Sequence, residues 1–103
     1  MQQAHFGTLI IGSGLAGLTL ALNLANTQKV AIVTKRTLFD SASSWAQGGI
    51  AAALSTEDSP DKHIQDTLIA GAGLCDEAIT RYVVKQGPAA IQWLISQQVH
   101  FTK

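Results

Sequence analysis

The feature that most constrains the fold is a G-x-G-x-x-G pattern, GSGLAG at residues 12–17, placed between two segments of different periodicity. The short apolar run before it, Phe6 to Ile11, is rich in β-formers and predicts a buried parallel strand. The residues after it have helical spacing. One face of that helix would carry Leu15, Leu18, Leu22 and Ala25. Strand, glycine turn and helix in this order predict the start of a βαβ unit.

The rest of the chain adds one strand, a long connection and helices. A second apolar run, Lys29 to Thr34, predicts the second parallel strand, joined by a right-handed crossover. From Lys35 to Asp61 few regular elements are indicated, and so long a connection in a compact domain is often functional. Beyond it we expect a helix with Ser59 as N-cap, then two further helices separated by Gly87-Pro88. The predicted fold class is α/β: an N-terminal βαβ unit followed by helices, incomplete without further strands.

Composition excludes several classes of function. Seven basic residues balance seven acidic ones in 103 residues, so no net charge attracts nucleic acid or an anionic membrane. The N-terminal residues lack the pattern of a signal peptide, and no apolar run reaches the ~18 residues that span a bilayer. The single cysteine, Cys75, cannot form an internal disulfide, which is typical of a reducing compartment. We therefore expect a cytoplasmic protein without nucleic-acid or membrane partners.

Each glycine of the pattern has a distinct predicted role. Gly12 would allow the tight turn, Gly14 would let the backbone approach a pyrophosphate, and Gly17 would let helix and strand pack closely. The helix N-terminus adds unpaired N–H groups and a partial positive charge. The alternative is a glycine turn that binds no ligand.

The acidic residue that usually follows such a motif is missing. It would hold a ribose hydroxyl about 20 residues after the glycines, but that place is occupied by Lys35 and Arg36. This weakens an ordinary NAD assignment. Two options remain: an NADP site with the basic pair on the 2′-phosphate, or a flavin site that dispenses with the acid. A solvated strand end without function is a third interpretation of the basic pair.

A second glycine-containing stretch, SSWAQGGIAAAL from Ser43 to Leu54, favours the flavin option. Gly48 and Gly49 permit positive φ and would let the backbone lie against a flat ring. At this point GSGLAGL, the TK after the second strand and SSWAQGG, in this order, resemble the flavoprotein family of succinate dehydrogenase, fumarate reductase and L-aspartate oxidase. The continuation HIQDTLIAGAGLCDE is most similar to the L-aspartate oxidase members.

The resemblance implies a cofactor site for FAD. Residues 13–16 match the pyrophosphate loop, Lys35 lies near the adenosine half, and 42–49 cover the isoalloxazine. Ala42 stands where the succinate dehydrogenase and fumarate reductase flavoproteins carry a histidine bonded to FAD, so non-covalent FAD is implied. The predicted cofactor-binding residues are Gly12, Ser13, Gly14, Leu15, Ala16, Gly17, Lys35, Ala42, Ser43, Ser44, Trp45, Ala46, Gln47, Gly48 and Gly49. No metal site is expected, and the catalytic side chains are unknown.

The resemblance also implies a function for the longer protein. Residues 1–103 would be the N-terminal part of a Rossmann-like FAD-binding domain, inactive alone. The full-length enzyme would oxidise L-aspartate to iminoaspartate with oxygen or fumarate as acceptor, the first step of de novo NAD biosynthesis. That place in metabolism suggests a functional link to quinolinate synthase. The alternatives are another dicarboxylate flavoprotein of the fumarate reductase type, an NADP-binding reductase fragment, or a non-catalytic nucleotide-binding or interaction fragment.

Overall fold

The computed structural model describes residues 3–102. In chain order its elements are β1 (Thr8–Ile11), α1 (Leu15–Leu24), β2 (Val30–Val33), a 3₁₀ turn (Ala42–Trp45), α2 (Pro60–Ala70) and α3 (Glu77–Ser96). The chain divides into two compact units, the first ending at Gly48 and the second beginning at Gly49. None of the helices within residues 3–102 has the length and apolar character needed to cross a membrane.

The first unit contains a two-stranded parallel sheet. Thr8 lies opposite Val30, and the register continues to Ile11 opposite Val33. Two backbone hydrogen bonds of 2.8 Å flank this pairing, from Gly7 N to Lys29 O and from Gly12 N to Val33 O. Two adjacent parallel strands need a crossover connection, and α1 lies within it. The predicted α/β class and strand–helix–strand order are confirmed, with both strands shorter than expected.

Helix α1 packs through a face different from the predicted one. Its partly buried positions are Gly17, Leu18, Thr19, Ala21 and Leu24. Leu15 and Leu22 are 51% and 52% exposed, and Ala25 is exposed as well. Of the four residues of the predicted face, only Leu18 is partly buried. The reason lies at Gly17, where a side chain would reach Ile10 of β1. The helix approaches the strand through Gly17, and this orientation leaves Leu15 and Leu22 on the outer side.

In the second unit, α2 begins as the sequence predicts. The hydroxyl oxygen of Ser59 accepts a hydrogen bond of 3.2 Å from Lys62 N, and Pro60 occupies the first turn. A proline there loses nothing, because its missing N–H would have no helical partner. The helix ends at Ala70 with Gly71 as its C-cap, and the next residues, Ala72 and Gly73, both have positive φ.

Helix α3 is continuous from Glu77 to Ser96, so the predicted break at Gly87-Pro88 is wrong. A proline disfavours helical backbone in the preceding residue through contacts with that residue's N–H and Cβ. Gly87 has no Cβ, which removes one of these two contacts. Ile64 of α2 and Ile91 of α3 are 1% and 5% exposed and, with Ala53, are the buried apolar residues of this unit.

Candidate nucleotide-binding site

The turn between β1 and α1 depends on Gly12. This residue has φ +108°, a backbone conformation that L-residues with side chains rarely adopt. Its N–H bonds to Val33 O at 2.8 Å, so the turn is held against the end of β2. A tight glycine-dependent turn at this position agrees with the role predicted for Gly12.

Gly14 lies at the N-cap of α1 in extended backbone, with φ −72° and ψ 174°. An added Cβ would lie 3.8 Å from Ser43 Oγ, which is ordinary van der Waals contact. The fold itself therefore does not require glycine here. What a side chain at residue 14 would fill is the space in front of the helix N-terminus, where a pyrophosphate is predicted to approach.

Gly17 is required by packing. A Cβ at this position would overlap the carbonyl oxygen of Gly12 and lie 3.3 Å from Ile10 Cγ2. The first turn of α1 can pass over the strand end only without a side chain here. This agrees with the close helix–strand approach predicted for the third glycine of the motif.

Ser13 is buried within the turn, with 4% of its surface exposed. Its hydroxyl donates a hydrogen bond of 3.1 Å to Thr34 Oγ1, in the residue directly after β2. The hydroxyl hydrogen of Ser13 is therefore engaged by the neighbouring strand.

The N-terminus of α1 is partly satisfied by a distant side chain. Leu15 N donates a hydrogen bond of 3.2 Å to Ser43 Oγ. The first turn of α1 carries no acidic side chain, so no carboxylate there neutralises the partial positive charge of the helix end. Free N–H groups and uncompensated positive potential suit a phosphate oxygen. The residues present therefore fit the pyrophosphate of a dinucleotide.

The segment predicted to cover a flavin ring begins as a short turn. Residues Ala42–Trp45 form one turn of 3₁₀ helix, capped by the side chain of Ser41 through a 3.4 Å bond from Ser44 N. Trp45 is 78% exposed, and Ala46 and Gln47 are also exposed.

The two glycines of that segment behave differently from expectation. Among the described residues, positive φ at glycine occurs only at Gly12 and Gly73. The positive φ that Gly48 and Gly49 permit is thus not used here. A Cβ on either would meet no atom within 4 Å. A ligand that approached the main chain at Gly48 or Gly49 would meet no side chain of those residues. Gly48 ends the first unit and Gly49 begins the second.

The basic pair after β2 is exposed. Arg36 Nη1 lies 3.3 Å from Asp40 Oδ2, in an ion pair four residues apart. Such exposed pairs contribute at most ~1 kcal/mol. Arg36 is therefore engaged with a carboxylate of its own segment. Lys35 stands directly after Thr34, at the end of the strand that borders the glycine turn.

Comparison with known families decides between the cofactor options. The FAD binding domain family matches residues 7–103. The chain belongs to the FAD binding domain family. FAD as cofactor, and the resemblance to a flavoprotein family, are thereby confirmed, and the match favours a flavin over the NADP alternative.

The curated relatives that this chain matches are longer proteins. It is 61% identical over 99 residues to L-aspartate oxidase 1 of Ralstonia nicotianae, covering 96% of this chain and 19% of that protein. It is 54% identical over 102 residues to L-aspartate oxidase of Neisseria meningitidis, covering 99% and 20%. For L-aspartate oxidase of Pseudomonas aeruginosa the identity is 46%, covering 99% and 19%. The chain spans about a fifth of the length of these relatives.

The structure brings together some of the predicted residues and adds two. Leu15 and Ser43 are joined directly by a hydrogen bond, whereas Gly12 and Ser13 are each bonded to the end of the second strand, at Val33 and Thr34. Sequence reasoning missed Thr34, which holds the Ser13 hydroxyl, and Ser41, which caps the 3₁₀ turn. Ser41 carries a local signal, a serine three residues before the N–H it caps. Thr34 carries none, because its partner is 21 positions away.

Proposed function

We propose that residues 1–103 are the N-terminal part of a Rossmann-like FAD-binding domain in an FAD-dependent L-aspartate oxidase. The full-length enzyme oxidises L-aspartate to iminoaspartate, with oxygen or fumarate as acceptor, in the cytoplasm. This is the first step of de novo NAD biosynthesis and links the enzyme functionally to quinolinate synthase. The observation that carries the proposal is 46–61% identity to proteins named L-aspartate oxidase over nearly the whole chain.

The glycine turn is the proposed site of the FAD pyrophosphate. Support comes from the open space at Gly14 and from the N-terminus of α1, whose first N–H groups lack helical acceptors. Leu15 and Ala16 begin the helix and present those groups. Lys35, two residues after the end of β2, is proposed to lie near the adenosine half.

Residues 42–49 are proposed to border the isoalloxazine. The hydrogen bond from Leu15 N to Ser43 Oγ supports a segment that starts beside the pyrophosphate. Exposed Trp45, Ala46 and Gln47 leave both main chain and side chains accessible to a ring. Ala42 has only a methyl group, which cannot form a covalent bond to the flavin, so FAD is held non-covalently.

This placement gives different roles to the cofactor and to the residues of this chain. Bound FAD supplies the acceptor for a hydride from the substrate α-carbon. The residues of this chain hold the cofactor: the turn fixes its phosphates, and the segment after β2 shields one side of its ring from water. Substrate binding and proton transfer are proposed to belong to other parts of the full-length enzyme.

The proposal is tested with the purified full-length protein under anaerobic conditions. We expect a visible flavin spectrum that bleaches on addition of L-aspartate, and no bleaching with succinate as the matched dicarboxylate control. Bleaching by succinate alone would favour an enzyme of the fumarate reductase type. A protein that binds NADP and no flavin would overturn both assignments.

A further inference from the structure

A pair of hydroxyl groups joins the glycine turn to the end of β2. The Ser13 hydroxyl donates to Thr34 Oγ1 at 3.1 Å, and Ser13 is 4% exposed. No side chain of the described chain leaves a buried polar atom without a hydrogen-bond partner, so this pairing satisfies the buried donor. Thr34 is not among the predicted cofactor-binding residues.

The turn needs such a link because its own residues are permissive. Two of the three residues that lead into α1, Gly12 and Gly14, have no Cβ to limit their backbone. Gly12 is tied to β2 by its N–H bond to Val33 O at 2.8 Å. Ser13 is the residue between the glycines that has a side chain, and that side chain reaches the neighbouring strand. A backbone bond and a side-chain bond together leave the turn little freedom to rotate.

We propose that Thr34 is a positioning residue for FAD: its hydroxyl holds Ser13 and so keeps residues 12–14 in the geometry that receives the pyrophosphate. The inference rests on the proposed function, which places the pyrophosphate at this turn. Thr34 itself does not touch the cofactor. It lowers the ordering cost that FAD would otherwise meet on binding, which is the usual advantage of a preorganised site.

The test compares FAD affinities of full-length variants after removal of bound flavin. Thr34→Val keeps the branched shape and removes the hydroxyl, whereas Thr34→Ser keeps the hydroxyl. Losing one neutral hydrogen bond should raise the FAD dissociation constant about fivefold in Thr34→Val and leave Thr34→Ser near wild type. Thr37→Val, in the same segment at an exposed position, is the matched control and should bind FAD normally.

Ser13→Ala gives an independent route to the same bond, since it removes the buried donor and leaves only the half-buried Thr34 hydroxyl without this partner. It should raise the dissociation constant as Thr34→Val does, and it decides the matter if Thr34→Val fails to fold. The double variant Ser13→Ala/Thr34→Val should bind no more weakly than either single variant, because each loses the same bond.

Three results would overturn the inference. One is unchanged or tighter FAD binding in Thr34→Val and Ser13→Ala, even with a lowered unfolding temperature, which would make the bond merely structural. Another is failure of Thr34→Ser to restore affinity. The third is additive losses in the double variant. A wild-type protein that does not bind FAD would overturn the proposed function as well. This outcome differs from the three above, because in each of them the wild-type protein binds FAD.

Discussion

Ser43 caps the N-terminus of α1 from outside the helix: its Oγ accepts a hydrogen bond of 3.2 Å from Leu15 N, 28 positions earlier in the chain. The residue at the N-cap itself, Gly14, has no side chain to do this. In α2 the corresponding bond is local, from Lys62 N to Ser59 Oγ. Helix α1 therefore leaves its N-cap open for a ligand and obtains its cap from the segment predicted to lie near the flavin.

The Ser43 cap predicts a local effect on helix stability. Replacing Ser43 by alanine should cost about 1 kcal/mol in the opening free energy of the first turn of α1, because Leu15 N loses its acceptor. Native-state hydrogen exchange at the Leu15 amide in the flavin-free protein measures this opening, and a roughly fivefold faster exchange corresponds to that cost. Ser43→Thr keeps the hydroxyl and should exchange like wild type. Equal exchange in all three proteins would contradict the cap.

Gly14→Val should separate binding from folding. The extended backbone at Gly14 accepts a side chain, and the nearest atom to a new Cβ is Ser43 Oγ at 3.8 Å. We expect the full-length variant to fold with an unfolding midpoint close to that of the flavin-free wild type and to be purified without flavin. Gly14→Ala, with a smaller obstruction, should retain part of the flavin. A folded and fully yellow Gly14→Val protein would refute the pyrophosphate placement.

Gly17→Ala should lower the stability of the protein, in contrast to Gly14→Val, which should affect flavin binding. Its Cβ would overlap Gly12 O, so α1 must move away from β1. Forced shifts of this kind cost about 1–3 kcal/mol, and we expect a lower unfolding midpoint even without flavin. Gly48→Ala, where a Cβ meets nothing within 4 Å, is the matched control for unfolding. If Gly17→Ala unfolds like the control, the close approach described here is incorrect.

The continuity of α3 predicts that Gly87 and Pro88 are coupled. Gly87→Ala alone should destabilise the protein, because the new Cβ meets the proline ring in helical backbone. In the Pro88→Ala background the same change should stabilise it by about 0.5–1 kcal/mol, the usual gain of alanine over glycine in a helix. Apart from its two chain neighbours, the nearest atom to a Cβ at residue 87 is Ala52 Cβ at 3.7 Å, so only the proline opposes this side chain. Thermal unfolding of the four proteins of this cycle measures the coupling, and equal effects in both backgrounds would exclude it.

Ala42 predicts the form in which flavin leaves the protein. Acid denaturation of the full-length enzyme should release all FAD into the supernatant, since a methyl side chain offers no atom for a covalent link. Absorbance of supernatant and pellet gives the partition. Mass spectrometry of the peptide that contains Ala42 provides the control. A peptide mass raised by one FAD would disprove non-covalent binding.

Local signals in the sequence were sufficient for the elements and for two of the glycine roles. The order of strands and helices, the Ser59 cap and the requirement for glycine at residues 12 and 17 depend on residues close in sequence, and the structure agrees with them. The continuity of α3 was missed because Pro88 was treated as a helix breaker without regard to the glycine before it.

The features that sequence reasoning could not supply are long-range. The packed face of α1 is set by contact with Ile10, and a pattern of leucines does not reveal which side of a helix a strand will meet. The bonds from Ser13 to Thr34 and from Leu15 to Ser43 join residues 21 and 28 positions apart. Serines and threonines are frequent in loops, so their types alone do not specify such pairs.

Because the chain divides into two units after Gly48, tryptophan fluorescence can distinguish the two units. The sequence contains two tryptophans: Trp45 in the first unit is 78% exposed, and Trp93 in α3 of the second is half-buried. Within these 103 residues, Trp93→Phe therefore leaves Trp45 as the fluorescent tryptophan, on the segment after β2. Trp45→Phe leaves Trp93, on α3. Ultraviolet fluorescence can thus follow each half of the chain separately, with the solvent-facing indole emitting at the longer wavelength.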